Sequence, residues 1–159
     1  MTIILRFKIL LTLILSAFCL FTSCTSVHEE ELNILPLSLN GTVECGGESY
    51  TAVIYFDAPS RGRLTLNTAS TDTAVSYETD GSAVSLTLGG LTLPIAVVPP
   101  MLEFCKILSE LDAPNIVSTE SDGSRITAVY DHTGRTVKVV FENGRIQKAE
   151  CGGIVFTAE

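Results

Sequence analysis

The tetrapeptide Glu-Cys-Gly-Gly occurs twice in this 159-residue chain, at residues 44–47 and 150–153. Cysteines that recur in a fixed context suggest three chemistries: a metal site, a disulfide, or a pair of similar turns. Two cysteines with no nearby histidine and no short ligand spacing fall below the usual zinc patterns, so no metal and no cofactor is expected. A Cys45–Cys151 disulfide would enclose 105 intervening residues. A loop of that order stabilises by about 4.7 kcal/mol in the chain-entropy model. The third reading rests on the Gly-Gly pairs, which suit the positive-φ turns of two-residue hairpins. The residues that follow also rhyme, Tyr50-Thr51-Ala52 against Phe156-Thr157-Ala158. Two equivalent hairpins are expected, and the disulfide stays open.

Other reactive side chains are sparse. The two histidines are His28 and His132, the latter in an Asp-His-Thr-Gly turn. A Cys105/His132 nucleophile pair has no evident third group to orient it. No HExxH, CxxC, phosphate-cradling glycine loop or calcium-loop spacing occurs. Asp112, Asp122 and Asp131 fall at turn or helix ends, where carboxylates serve the backbone. Arg61 and Arg63 flank Gly62 and would either meet an anionic headgroup or lie solvated at a strand edge. The expectation is a protein that is not an enzyme.

The compartment follows from the N-terminus. Arg6 and Lys8 precede an apolar run from residue 9 to 20 that is broken only by Thr12 and Ser16. That run is shorter than the roughly 20 apolar residues of a membrane-spanning helix and fits a signal peptide. It ends in Phe21-Thr22-Ser23-Cys24, which resembles a bacterial lipobox with Phe21 where leucine is usual. Residues 1–23 are therefore expected to be removed and Cys24 to carry the lipid anchor, on an exported lipoprotein held at the membrane. Two acyl chains anchor stably where one does so only marginally. Residues 24–35, with three consecutive glutamates at 29–31, read as a tether.

Residues 36–159 are one domain's worth of chain, expected to be monomeric. The formal charge of the whole chain is −8. Without Arg6 and Lys8 it has eight basic residues against eighteen acidic, a balance of −10. Nucleic acid is excluded as a partner, since its binding depends on basic residues displacing counterions.

Within this domain the apolar residues alternate with polar ones between glycine turns, the signature of antiparallel strands with one buried face. Ile54, Phe56, Leu64, Leu66, Leu86, Val137, Val139 and Phe141 fall on that face. One segment breaks the alternation. After Pro99-Pro100, the residues Leu102, Phe104, Cys105, Leu108 and Leu111 form a helical stripe, predicting a helix over 101–111. The fold class is α+β but mostly β. About eleven strands must curl, giving a half-open barrel with the amphipathic helix as its lid.

The stretch IYFDAPSRGRLTL, with Phe56, Pro59 and Gly62, is similar to the central strands of the outer-membrane lipoprotein carrier (LolA/LolB-like) superfamily. The segment GGLTLPI followed by a helix and then YDHTGRTVKVVFENGRI resembles the later half of the same unit, with Arg135-Thr136 where relatives often have proline. The resemblance implies a curved sheet and helical lid around an apolar cavity for acyl chains. The expected function is a surface-anchored, non-enzymatic binding module holding a lipid or other apolar small molecule. The alternative is a structural or adhesive surface lipoprotein with a filled core, binding proteins or glycans.

Overall fold

The computed structural model describes residues 34–68 and 73–159. The signal peptide, Cys24 and most of the tether lie outside the described residues. Within them the chain forms β1 (Leu37–Cys45), β2 (Glu48–Ala58), β3 (Arg61–Thr68), β4 (Val75–Asp80), β5 (Val84–Leu88) and β6 (Leu91–Ile95). The helix α1 (Pro100–Ser109) and a 3-10 turn (Ala113–Asn115) follow. The chain ends with β7 (Ile116–Asp122), β8 (Arg125–His132), β9 (Arg135–Glu142), β10 (Arg145–Cys151) and β11 (Ile154–Ala158).

The eleven strands make one antiparallel sheet in the order β6-β5-β4-β3-β2-β1-β11-β10-β9-β8-β7. Its layout is two meanders, β1–β6 and β7–β11, joined where β1 pairs with β11. The two open edges, β6 and β7, are consecutive strands in sequence, so the chain between them must return from one side of the sheet to the other. It does so across the concave face, and that return is α1. The curved, unclosed sheet with one helix among the described residues is the architecture expected from the alternation and the apolar stripe.

Pro100 stands in the first turn of α1, where its missing N–H costs nothing, and Glu103 and Lys106 lie at the helix ends that the macrodipole favours for them. Leu102, Phe104, Cys105, Ile107 and Leu108 are buried, with Leu111 just beyond, while Glu103, Lys106 and Glu110 form the wetter stripe. The helix packs on β1, β2 and β3. On its other side the curl of the sheet brings Tyr130, Val137, Val139, Phe141 and Phe156 into the same apolar cluster. Register shifts in β2, β7 and β10 mark bulges, which bend and twist a sheet locally.

Close approach requires glycine at position 62. Gly62 pairs with Phe56, and a Cβ there would sit 2.2 Å from the Tyr55 carbonyl oxygen and 2.5 Å from Phe56 Cγ. The Phe56 ring occupies the space that a side chain at position 62 would need. Gly62→Ala is expected to destabilise the domain by about 1–3 kcal/mol, as overpacking against backbone does. Gly46→Ala meets nothing within 4 Å but has φ +61°, so only conformational strain of about 1 kcal/mol is expected. Denaturant unfolding of the two variants should rank them in that order.

Candidate functional site

The two Glu-Cys-Gly-Gly segments are equivalent hairpin turns. Gly46 and Gly47 have φ of 61° and 87°, and Gly152 and Gly153 have 58° and 82°. Both pairs match the type I′ turn, whose twist suits flanking strands. The rhyme that follows each turn has a structural origin, because β2 and β11 are the two neighbours of β1. Val43 lies between Tyr50 and Phe156, Thr42 between Thr51 and Thr157, and Gly41 between Ala52 and Ala158. The disulfide does not form: Cys45 and Cys151 are free thiols. Both are in register with Ile154, Cys45 from β1 and Cys151 from β10, so a whole strand separates them. Two strand spacings amount to about 9–10 Å, beyond the roughly 7 Å that a disulfide tolerates between Cα atoms.

Cys105 is fully buried on α1, and burial pushes its thiol far up. Burial also raises the Cys151 thiol, partly offset by Arg135 nearby. His132 is not joined to Cys105. Its Nε2 lies 3.1 Å from one carboxylate oxygen of Glu110, just past the end of α1. The other oxygen accepts a hydrogen bond from Ser60 Oγ in the β2–β3 turn. The Ser60 N–H donates to Ser109 Oγ at 3.0 Å, and its carbonyl accepts from Thr79 Oγ1 at 3.2 Å. A serine, a glutamate and a histidine thus meet, but the carboxylate is central and Ser60 donates to it rather than to the imidazole. That order differs from the nucleophile–imidazole–carboxylate relay. It works as a strap instead, tying the turn of one meander and the end of β8 in the other to the helix between them. Glu110 stands at a helix C-terminus, where the macrodipole disfavours an anion, and these two partners offset that penalty.

Among the described residues no group of three or more His, Cys, Asp and Glu side chains is placed to hold a metal. Arg61 is paired with Asp57 at 2.8 Å, which holds the Asp57 carboxyl below its ordinary value, and Arg63 is paired with Glu78. Both arginines stay more than half exposed in these pairs, in contact with solvent.

The apolar face expected from the alternation divides into two parts. Ile54, Phe56, Leu64, Leu66, Val137, Val139 and Phe141 are core, sealed beneath and beside α1 together with Leu102, Phe104, Cys105, Leu108 and Leu111. These side chains pack together beneath α1. An open cleft of about 380 Å³ flanks α1, with Phe104, Ile107, Cys151 and Ile154 in its walls and the Glu103–Arg135 ion pair at 2.6 Å among the lining groups.

Leu86 belongs to the other part. The cross-strand row Leu39–Ile54–Leu64–Tyr77–Leu86–Leu93 runs from β1 to the β6 edge. It is fully buried at Ile54 and Leu64, half-buried at Tyr77 and Leu86, and 49% exposed at Leu93. The adjacent row Ala52–Leu66–Val75–Leu88–Leu91 follows the same gradient, reaching 48% at Leu88 and 61% at Leu91. The concave face of β5 and β6 is thus an uncovered leucine strip continuous with the core, and Val97 just after it is 78% exposed.

The opposite edge shows that the strip is more than a by-product of an open sheet. There the residues of β7 in register with the concave-facing Ala128 and Ile126 are Thr119 and Ser121. At β7 the concave face has Ile116, paired with Tyr130 and packed on the core, and is polar beyond it at Thr119 and Ser121, whereas at β6 it is leucine. Sequence alternation put Leu86 on the expected buried face and did not show that Leu88, Leu91 and Leu93 would be surface. A further signal was available in the 22 residues from 81 to 102, which contain no charged side chain in a chain of net charge −8.

Two outcomes follow from the cysteine and strap geometry. Adding reductant should leave the unfolding midpoint unchanged, with Cys105 modified by thiol reagents only after denaturation. Glu110→Ala strands the partners on Ser60 and His132 and should lower stability by about 1–2 kcal/mol, measured by denaturant unfolding.

No protein-family model matches this chain, and neither does any curated protein or solved structure. The likeness to the lipoprotein carrier superfamily therefore rests on the spacing of residues such as Phe56, Pro59 and Gly62.

Proposed function

We propose that this protein is an exported, membrane-anchored and non-enzymatic binding module, and that its binding face is the uncovered leucine strip of β5 and β6. The observation that carries this reading is the exposure gradient along two cross-strand rows, ending in Leu88, Leu91 and Leu93 at about half exposure. Large apolar side chains left contiguous on a surface mark interaction sites. The signal-peptide pattern and Cys24 support the location, and the carboxylate-centred order of Ser60, Glu110 and His132 supports the non-enzymatic reading.

The packing of fully buried side chains beneath α1 favours a ligand laid on an open face over one swallowed between sheet and helix. It also gives weight to the second reading, a surface lipoprotein with a solid core that contacts its partner through an exposed face.

An environment-sensitive apolar dye titrated against the full chain tests the face. Leu91→Asp with Leu93→Asp should abolish most of the fluorescence enhancement while the unfolding midpoint stays near that of the parent. Equal enhancement in parent and double variant would remove the strip from the reading.

A further inference from the structure

The leucine strip is open on its far side. Among the described residues no further strand walls it in beyond β6, so a single apolar molecule laid on it would keep one side in water. Small-ligand sites bury most of their ligand's surface. An occupant that covers the strip must itself be a surface.

Three observations narrow the choice of surface. The first is charge: the stretch from 81 to 102 is bounded by Asp80 and Glu103 and is free of charge between them, while the chain as a whole is acidic. An acidic protein is repelled by anionic lipid headgroups through its field, and this neutral hairpin is the part that escapes the repulsion. The second is amphipathicity. Leu86, Leu88, Leu91 and Leu93 point one way, while Ser85, Thr87 and Thr92 alternate to the other, the last two hydrogen-bonded to each other at 2.9 Å. Neutral hydroxyls on the reverse face suit a hairpin at the boundary between headgroups and acyl chains, where water still reaches.

The third is the free edge of β6. Gly89 and Gly90 form a two-residue turn between Leu88 and Leu91, so Leu88–Leu91 is a hydrogen-bonded pair and the pairs alternate from there. Ser85–Pro94 is then a non-hydrogen-bonded pair, and the nitrogen of Pro94 faces outward. Proline there removes an edge donor, which blunts strand-to-strand joining with another chain and reduces the polar backbone shown to lipid.

From these observations we infer that the β5–β6 hairpin docks on the bilayer itself, its four leucines reaching the acyl boundary of the membrane that anchors the chain. The inference rests on the proposed membrane-anchored binding module. Ile34, where the described residues begin, lies ten residues after Cys24. Ten residues span at most about 33–36 Å, so an anchored domain stays within reach of the lipid surface. The anchor supplies proximity, and the hairpin sets which side of the domain faces the membrane.

The chain contains no tryptophan, so one introduced residue reports alone. The lipidated full chain carrying Leu91→Trp is reconstituted in phosphatidylcholine vesicles whose acyl chains are brominated. Val117→Trp, at a 67% exposed position on the opposite edge strand, serves as the control, and Leu93→Trp as a second reporter. Docking predicts a blue-shifted Leu91→Trp emission that is quenched roughly twofold or more, because an interfacial apolar face lies among the upper acyl carbons. Val117→Trp should stay unshifted and unquenched. A blue shift at positions 91 and 93 without quenching would overturn bilayer docking yet leave the strip as a face covered by another protein surface. Water-exposed, unquenched emission at both positions would overturn docking and the binding face together.

Discussion

The structure depends on one return path. Eleven strands pair in an order that leaves β6 and β7 at opposite edges, yet these two are neighbours along the chain. The segment between them has to cross the sheet. Crossing the concave face buries an apolar stripe on both sides at once, against β1–β3 and against the curled β8–β11 half. Apolar burial is the dominant favourable term in folding, so a helix with Leu102, Phe104, Cys105 and Leu108 on its stripe is drawn inside. The strap from Glu110 to Ser60 and His132 then fixes the helix end to both meanders. It provides direction that packing alone lacks.

The second constraint is the seam between the meanders. β1 and β11 are far apart in sequence, and their pairing is what makes one sheet of two meanders. Gly41 marks how tightly the seam is drawn, since a Cβ there would stand 2.1 Å from the Thr157 carbonyl oxygen. The matching residues after the two Glu-Cys-Gly-Gly turns are the flanks of this seam. Ala52 and Ala158 give small neighbours to Gly41, and Tyr50 and Phe156 stand on either side of Val43. What resembles a cysteine motif is a paired turn on one side of the seam and its counterpart two strands away. The thiols add no staple, since β11 lies between them.

Much of this was legible from residue order because it depends on local periodicity. Alternation and Gly turns located the strands, and Pro99-Pro100 followed by an apolar stripe located α1 within two residues at its C-terminal end. What periodicity cannot reveal is which rows of a face become covered. Leu64 and Leu93 lie on the same row and follow the same alternation, yet one is sealed and the other half exposed. The difference depends on where a distant helix rests. The strap was hidden for a related reason: Ser60 and Glu110 are 50 residues apart, and neither sits in a recognisable spacing with His132. The cysteines failed as a disulfide because sequence places both turns at strand ends without revealing the strand that separates them.

The size of the helix makes partial coverage unavoidable. Ten residues of α-helix measure about 15 Å, whereas eleven strands about 4.8 Å apart measure roughly 50 Å around the curve. However α1 is angled, it shades some three or four strands, and the sheet's own curl must enclose the rest. At the β7 margin the chain meets this limit with threonine and serine, and the uncovered rows there are wetted without penalty. At the β6 margin it sets four leucines in two rows across the same kind of gap. The helix packs chiefly on β1–β3, and Leu88, Leu91 and Leu93 stand about half exposed at the sheet edge beyond it. Packing of the core therefore does not account for leucine at positions 88, 91 and 93, and the proposed binding face gives these exposed side chains a role.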